Sequence, residues 1–339
     1  MAMNSTMRRI CAPVLAVLAL VLVTACGSGA QGGQQQNTQP QNTQVRVGAP
    51  GPNAGLWPIY VAQSEGFFEQ AGVQVAVTYA GGGQGVQQVI GGDLDLFVTN
   101  PDQPIAAIAR GGNLTGISGA INSPFSLVGK PGIENVAALR NGPVGAANIA
   151  GADMVMIRAI LKNSGLGPND YDVTQTGSGP NKLSAMTTGA VNAVTLTQPQ
   201  DLQYLTQTQG AHKLADSSEL GEIQTIAQFA NSAWAEDNGD TLVAYLRAQL
   251  QAREWLADSK NREQAMAVLA KETKISPEIA AAVYDQYANE DLFDKAIELD
   301  LAGVDRWLTL AEEAGLGQYE TASKYFNTTY LERAEQQGK

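Results

Sequence analysis

The chain has 339 residues, a hydrophobic content of 44% and a formal net charge of −12. This length exceeds the size at which a single hydrophobic core usually stops growing, so we expect two lobes. The acidic balance argues against binding to nucleic acid and against electrostatic docking on anionic lipid.

The first 25 residues have the pattern of a cleaved export signal. Two arginines form a positive n-region, and the apolar run 11–23 that follows is shorter than the ~20 residues that span a bilayer. The stretch VTAC at 23–26 resembles the lipobox of bacterial lipoproteins, in which the cysteine is acylated and becomes the mature N-terminus. The alternative is an uncleaved N-terminal anchor helix. We expect a signal peptide over 1–25 and lipidation at Cys26.

The scarcity of cysteine and histidine excludes several kinds of site. The cysteines are Cys11 and Cys26, and the single histidine is His212. With Cys11 lost in the signal and Cys26 acylated, no disulfide, thiol nucleophile or cysteine zinc site can form. A histidine metal cluster is excluded too, so no metal and no cofactor are predicted. Residues 27–44 contain no charge and no large apolar side chain, and with Cys26 they are predicted to form a disordered tether, 26–44.

Strand and helix patterns then alternate between residues 44 and 99. Alternating apolar residues predict strands at 44–48 and 73–79, and a third strand is predicted at 94–99. A helix is predicted from Leu56 to Ala71, and another ends before Gly91-Gly92. This order indicates βαβ units and a parallel sheet.

A second α/β block covers about 125–223, and a helical tail follows it. In the block, strands are predicted at 126–129, 144–147, 171–176 and 193–197, and helices at 153–163 and 182–188. From Asp240 onward strand patterns vanish, and helices are predicted at 241–258, 277–287 and 305–314.

A series of motifs runs through the body of the chain: WPIYVA at 57–62, EGFF at 65–68, GGDLD at 91–95, LVGKPG at 127–132 and SAWAEDN at 232–238. In this order, behind a lipobox, they resemble ABC-transporter solute-binding proteins that handle sulfonates, nitrate, taurine and thiamine-pyrimidine precursors. The resemblance spans roughly 45–315. Pro52-Asn53 ahead of YVA at 60–62 is most similar to the pyrimidine-precursor branch, although Leu56 stands where that branch often has a histidine.

The resemblance implies an α/β, type II periplasmic-binding-protein fold, with two α/β lobes joined by two crossing segments and a C-terminal helical layer on lobe one. Lobe one is expected over 45–122 plus 225–339 and lobe two over 123–224, with hinges near 121–124 and 223–226. The implied function is the extracytoplasmic solute-binding component of an ABC importer, and not an enzyme. We expect a monomer that is held to the cell membrane by its lipid anchor. Its expected partners are a small-molecule solute and the transmembrane subunit of the permease.

Two alternatives remain open. One is an enzyme of the pyrimidine-precursor type, because eukaryotic pyrimidine-precursor synthases resemble this family. Those synthases have a Cys-rich iron-binding motif and an active histidine, whereas His212 lies here in a polar stretch that is typical of a surface loop. The other is a sensory or adhesive lipoprotein that uses the same two-lobed clamp to signal to a partner.

Six short polar loops are the predicted ligand site, because ligands of open α/β sheets lie outside the carboxyl ends of the strands. The loops are 50–57, 80–85, 99–103, 147–153, 176–182 and 197–201. The glycines at 81–85 either cradle a ligand with backbone N–H groups or form an ordinary tight turn. The predicted ligand-binding residues are Asn53, Trp57, Gly82, Gly83, Gln84, Asn100, Asn148, Asp153, Ser178, Asn181, Thr197 and Gln198.

Several of these residues have a structural interpretation as well. Trp57 either stacks on a flat ligand or packs within its lobe. Asp102 and Asp153 are also placed to cap helices. Lys182 is the single cation of the six loops and could instead be a solvated helix residue. Because none of the loops contains arginine, the sequence favours a neutral or singly charged solute, polar or sulfonate-like, over a dianion.

Overall fold

Two five-stranded β-sheets organise residues 43–338, the part of the chain that this computed structural model describes. The predicted signal peptide 1–25, Cys26 and all but the last two residues of the 26–44 tether lie outside the described residues. None of the described helices combines the length and apolar character needed to cross a bilayer. The described residues belong to one compact unit, Pro40–Lys339.

The described strands come from two stretches of alternating β and α structure. They are β1 (Thr43–Ala49), β2 (Val73–Tyr79), β3 (Leu96–Thr99), β4 (Leu114–Gly119), β5 (Phe125–Gly129), β6 (Pro143–Ala146), β7 (Asp172–Gln175), β8 (Ala193–Thr197), β9 (His212–Asp216) and β10 (Ala227–Asn231). Sheet one has the order β2-β1-β3-β10-β4, and sheet two has the order β7-β6-β8-β5-β9.

Each sheet combines parallel and antiparallel pairs. In sheet one, β1 is parallel to β2 and β3, and β10 is antiparallel to β3 and β4. In sheet two, β6 is parallel to β7 and β8, and β5 is antiparallel to β8 and β9. Strands β3 and β10 are buried throughout, as expected for strands covered on both faces. The predicted α/β class and two-sheet fold are confirmed.

The described helices cover the faces of the sheets. They are α1 (Trp57–Ser64), α2 (Phe67–Gln70), α3 (Gly82–Gly91), α4 (Asp102–Ala109), α5 (Ala152–Asn163), α6 (Pro180–Thr187), α7 (Gln200–Gln207), α8 (Ser232–Asp237), α9 (Gly239–Ala257), α10 (Arg262–Thr273), α11 (Pro277–Asn289), α12 (Leu301–Glu313) and α13 (Thr329–Gln337).

Backbone conformation and capping explain boundaries of three of these helices. The single helix predicted over 56–71 is instead two, α1 and α2, because Gly66 has a φ of 72°, which interrupts the helix. The predicted start of α11 is confirmed, since the Ser276 hydroxyl accepts a hydrogen bond from Ile279 N at 3.4 Å and Pro277 occupies the first turn.

The chain passes between the sheets twice, through the segments 120–124 and 217–226. The two segments are hydrogen-bonded to each other. Asn122 Oδ1 accepts from Thr225 N at 2.9 Å, and Gln224 Nε2 donates to Ala120 O at 3.3 Å. The predicted hinges fall within these segments, but which residues move together as lobes stays a prediction.

The helical tail is divided between the two sheets. Residues of α9, α10, α11 and α13 share a buried cluster with strand residues of sheet one. Helix α12 packs instead against α5, and its Trp307 ring lies 6.1 Å from the Phe125 ring of sheet two. The C-terminal helical layer that we predicted is therefore present on sheet one for α9, α10, α11 and α13. The apolar face of α12 is buried against α5 instead.

Close packing beside the first crossing segment makes a testable prediction. A Cβ on Gly119 would overlap the backbone carbonyl of Glu298, whereas a Cβ on Gly91 would meet nothing within 4 Å. We expect Gly119→Ala to lower the free energy of unfolding by about 1–3 kcal/mol, the range for overpacked interiors. Gly91→Ala, at the end of α3, is the control and should be neutral or slightly stabilising. Urea unfolding of both variants checks this, and equal midpoints would contradict it.

Candidate functional site

A cleft of about 760 Å³ opens between the two sheets. It is lined by residues from all six predicted loops, which follow β1, β2 and β3 in sheet one and β6, β7 and β8 in sheet two. This volume lies within the usual range for small-molecule sites. Seven predicted ligand-binding residues line it: Asn53, Gly82, Asn100, Asn148, Asp153, Ser178 and Thr197. Their roles in binding stay predictions.

Trp57 does not face the cleft, so its predicted stacking on a ligand is wrong. Its ring is fully buried, and it meets Tyr284, Tyr287 and Phe293 in edge-on contacts at 5.2–6.0 Å between ring centroids. Its Nε1 donates to Ala265 O at 3.1 Å. The aromatic side chains of α11 and of the segment that follows it enclose the indole, and the lobe-packing interpretation is the one that the structure supports.

The glycine cradle is smaller than predicted. Gly82 lines the cleft, whereas Gly83 and Gln84 are exposed and are absent from its lining. Gly85 faces inward, where a Cβ would overlap the Phe97 ring. A Cβ on Gly82 would lie 2.8 Å from Gln103 Oε1. Of these glycines, Gly81 and Gly82 alone line the cleft, and Gly83 and Gly85 lie in the first turn of α3.

Asn181 and Gln198 are also outside the cleft lining. Asn181 is exposed and lies beneath the Gly177 turn, 3.0 Å from where a Cβ of that glycine would be. Gln198 is buried, its Nε2 donates to Gln286 of α11, and its carbonyl accepts from Ala54 N at 3.2 Å. Gln198 therefore links the end of β8 to sheet-one elements.

Asp153 organises the wall of the cleft on the side of sheet two. Its carboxylate accepts hydrogen bonds from Ala147 N at 2.6 Å, from Thr195 Oγ1 at 2.8 Å and from Lys182 Nζ at 2.8 Å. Lys182 is buried too, and its ammonium also donates to Thr195 O at 2.7 Å. Lys182 is therefore the buried partner of Asp153 and not a solvated helix residue. Buried charges need such partners, and this pair holds β8, α6 and the β6 loop together.

Several amides of the cleft donate to backbone carbonyls. Asn100 Nδ2 donates to Thr225 O at 2.6 Å, and Asn53 Nδ2 donates to Gly51 O at 2.9 Å. Gln200 Nε2 donates to Pro52 O at 3.0 Å, a bond between the loops of the two sheets. Two amide oxygens in this region, Gln103 Oε1 and Gln200 Oε1, are buried without a hydrogen-bond partner among the described residues.

Asp102 is a cleft residue for which the sequence left a helix-capping role equally open. It opens α4, it is 3% exposed, and it lines the cleft. Burial raises the pKa of its carboxyl to about 7, and the negative charge of Asp153 adds to the rise. Its own backbone N–H and the Trp307 indole partly offset that rise. No lysine or arginine among residues 43–338 forms an ion pair with it.

The position of Asp102 was visible in the sequence, since it follows β3 in one of the six loops. The burial of Asp102 could not be predicted from the sequence, because α12 supplies Trp307 from a distant part of the chain. Gln103 is a second cleft residue that the sequence did not single out.

Comparison with known proteins indicates a family. The sequence model of the family described as NMT1/THI5 like matches residues 53–262. The putative binding protein YtlA of Bacillus subtilis is 22% identical over 256 residues, which is 73% of this chain and 76% of YtlA. The 4-amino-5-hydroxymethyl-2-methylpyrimidine phosphate synthase THI11 of Saccharomyces cerevisiae is 27% identical over 125 residues. The match to the synthase spans about a third of both proteins, 35% of this chain and 36% of the synthase.

Solved structures share the fold. The periplasmic nitrate-binding protein NrtA of Synechocystis superposes with a TM-score of 0.74 at 15% identity, covering 88% of this chain and 89% of NrtA. The periplasmic aliphatic sulphonate-binding protein SsuA of Escherichia coli superposes with a TM-score of 0.67 at 20% identity, covering 84% and 92% of the two chains. The type II binding-protein architecture predicted from the sequence is thereby confirmed.

The buried ion pair yields a prediction about stability. Lys182→Met leaves Asp153 as an unpaired buried carboxylate, so we expect the free energy of unfolding to fall by about 3–5 kcal/mol. The control is Lys213→Met, which removes the half-exposed Lys213–Asp216 pair and should cost about 1 kcal/mol or less. Urea unfolding at pH 7.5 measures both. Similar small losses in the two variants would contradict a structural role for the buried pair.

The raised pKa of Asp102 yields a prediction about pH. An unfolded aspartate titrates near 3.9, so the unfolded chain binds fewer protons than the folded one between about pH 4 and 7, and stability falls as pH rises. Asp102→Asn removes this cost. We expect the variant to match the wild type near pH 4 and to exceed it above pH 7, by up to about 4 kcal/mol. Thermal unfolding across this range measures the difference, and a constant gap would contradict the assignment.

Proposed function

This chain belongs to the NMT1/THI5-like family, and from that premise we propose that it is the solute-binding component of an ABC importer. The observation that carries the proposal is the cleft of about 760 Å³ between the two sheets, lined by loops of both. A solute in this cleft contacts both halves of the molecule at once, so its binding favours the closed arrangement of the predicted lobes. The solved binding proteins for nitrate and sulphonate share this fold.

The route of delivery follows from the predicted N-terminus. Acylation of Cys26 would hold the body at the outer face of the cell membrane, on the side from which the permease receives its solute. Two large apolar side chains of the described residues are strongly exposed, Tyr79 and Ile149. Tyr79 lines the cleft from the sheet-one side, and Ile149 lies in the loop after β6. We assign Tyr79 and Ile149 to contacts that form when the two lobes close or when the protein docks on the permease.

An enzymatic function is the second candidate, because several curated relatives are named as pyrimidine phosphate synthases. The residues that line the described cleft include neither histidine nor cysteine. His212 is at the start of β9, exposed and outside the cleft lining. A binder releases its solute unchanged, whereas a synthase converts it, and this difference separates the two candidates.

The test is native mass spectrometry of the full chain in detergent, followed by thermal shifts with a panel of small solutes. We expect a co-purified small molecule, or a compound that raises the melting temperature as its concentration rises. The bound compound should keep its mass after prolonged incubation. A changed mass would favour the enzyme, and the absence of any bound mass or shift would contradict solute binding.

A pair of tryptophan variants locates the site. Ser178→Trp places a large ring in the cleft, whereas Gln84→Trp places the same ring on an exposed position outside it. We expect the solute-induced shift to vanish in the first variant and to persist in the second. A shift retained in both variants would place the solute elsewhere.

A further inference from the structure

A second cavity, of about 280 Å³, lies between α5 and α12. Side chains from the second half of α5, from the segment that follows it and from the end of α12 line this cavity. The cleft meets α5 at its other end, at Ala152 and Asp153, and the two cavities share no lining residue. We call the second cavity the α5–α12 pocket.

The walls of the α5–α12 pocket are mainly apolar. They are formed by Ala159, Leu166, Leu310 and Ala314 and by the ring of Tyr171. Four of these five side chains are buried, so the walls belong to the packed interior of the protein. An apolar cavity of about 150 Å³ is large enough to hold benzene. The α5–α12 pocket therefore has room for one ring together with a small polar group.

Arg158 is a charged group of this pocket that has no counterion. Lys162 Nζ lies 3.1 Å from Glu313 Oε2, so these two charges form a pair that joins α5 to α12. The carboxylate of Asp170, next to the pocket in the chain, is paired with Arg140. Arg158 forms no ion pair with any of residues 43–338. Two cations and one carboxylate line the pocket, which leaves a net charge of +1 in a chain whose net charge is −12.

The guanidinium of Arg158 also has an unsatisfied donor. Its Nε is buried without a hydrogen-bond partner among the described residues. Its Cζ lies 6.0 Å from the centroid of the Tyr171 ring, so the guanidinium lies over an aromatic face that orients it. A buried donor without a partner costs free energy, which an acceptor on a ligand recovers. The pocket therefore combines apolar walls with an oriented guanidinium that lacks an anionic partner.

The ends of α5 and α12 at the pocket do not favour a cationic ligand instead. A helix C-terminus carries partial negative charge, which suits the two cationic side chains in the second half of α5. In the turn that ends α5, Leu161 O accepts a hydrogen bond from Leu166 N at 2.8 Å. In the turn that ends α12, Ala311 O accepts one from Leu316 N at 2.9 Å. A cationic ligand would meet the charge of Arg158, since the carboxylate in the lining is already paired.

We propose that the α5–α12 pocket binds a small monocarboxylate whose apolar body is about the size of one ring. The carboxylate accepts hydrogen bonds from the Arg158 guanidinium, whose planar fork matches two carboxylate oxygens. The apolar body packs against Leu166, Leu310 and the Tyr171 ring. A single negative charge balances the net charge of the lining. This site is additional to the cleft, and the inference does not depend on the proposed solute-binding function.

The test uses the full chain in detergent at pH 7.5, where simple carboxylic acids are ionised. The probes are benzoate, cyclohexanecarboxylate and isovalerate, each compared with its neutral amide of the same shape. We expect the carboxylates to raise the melting temperature as their concentration rises. Calorimetry should give a dissociation constant at least about 10-fold lower for a carboxylate than for its amide, as expected for a charged hydrogen bond. Equal binding of the two, or no shift with any carboxylate, would overturn the inference.

Two variants test the two parts of the pocket. Arg158→Met keeps an apolar stem and removes the guanidinium, so we expect carboxylate binding to weaken about 10- to 100-fold. Its control is Arg110→Met, which removes an exposed arginine outside the pocket. Ala314→Leu fills the cavity and keeps the charge, and it should abolish binding. Its control is Ala302→Leu, at an exposed position of α12 outside the pocket. Both controls should bind as the wild type does.

A cleft variant shows which of the two cavities holds the carboxylate. Ser178→Trp obstructs the cleft and leaves the lining of the α5–α12 pocket unchanged, so carboxylate binding should persist in it. Binding that is lost in Ser178→Trp, or retained in Arg158→Met or Ala314→Leu, would place the carboxylate elsewhere and overturn the inference. The melting transition of each variant without ligand shows whether it is folded, and either pocket variant alone decides the question.

Discussion

The cleft depends on one buried carboxylate, that of Asp153. It joins the loop after β6, the strand β8 and the helix α6 through bonds to Ala147, Thr195 and Lys182. A desolvated carboxylate is stable only when it is fully bonded, so these elements are held in one arrangement. The loops that line the sheet-two side take their positions from this centre, and the shape available to a ligand follows from it.

Asp102 and Asp153 show how environment assigns different roles to one residue type. Both carboxylates open helices at the same cleft, and both are buried. Asp153 is saturated by backbone, hydroxyl and ammonium donors, which fix the wall of the cleft around it. Asp102 has no cationic partner within the described residues, so burial is the largest cause of its raised pKa, and the charge of Asp153 adds to it.

The fold was largely predictable from the sequence, and the site only in part. A period-two pattern identified the strand from 73 to 79, and the carboxyl-end rule brought all six loops to one cleft. The interpretation of Trp57 failed because its surroundings come from α10 and α11, with a hydrogen-bond partner 208 residues away. Local patterns do not encode such contacts. For the same reason, the pairing of Lys182 with Asp153 and the burial of Asp102 needed the tertiary structure.

Helix α12 gives the molecule a third mechanical link between its halves. Its apolar face packs on α5, beside sheet two. The segment that follows α12 is hydrogen-bonded to β4 of sheet one, where Gly116 N donates to Tyr325 O at 2.9 Å. The chain before it meets the second crossing segment, where Asp300 N donates to Gln224 Oε1 at 3.2 Å. Rotation of one half against the other must therefore slide or bend α12 on α5. The helix is therefore placed as a strut that resists such a rotation, in addition to the two crossing segments.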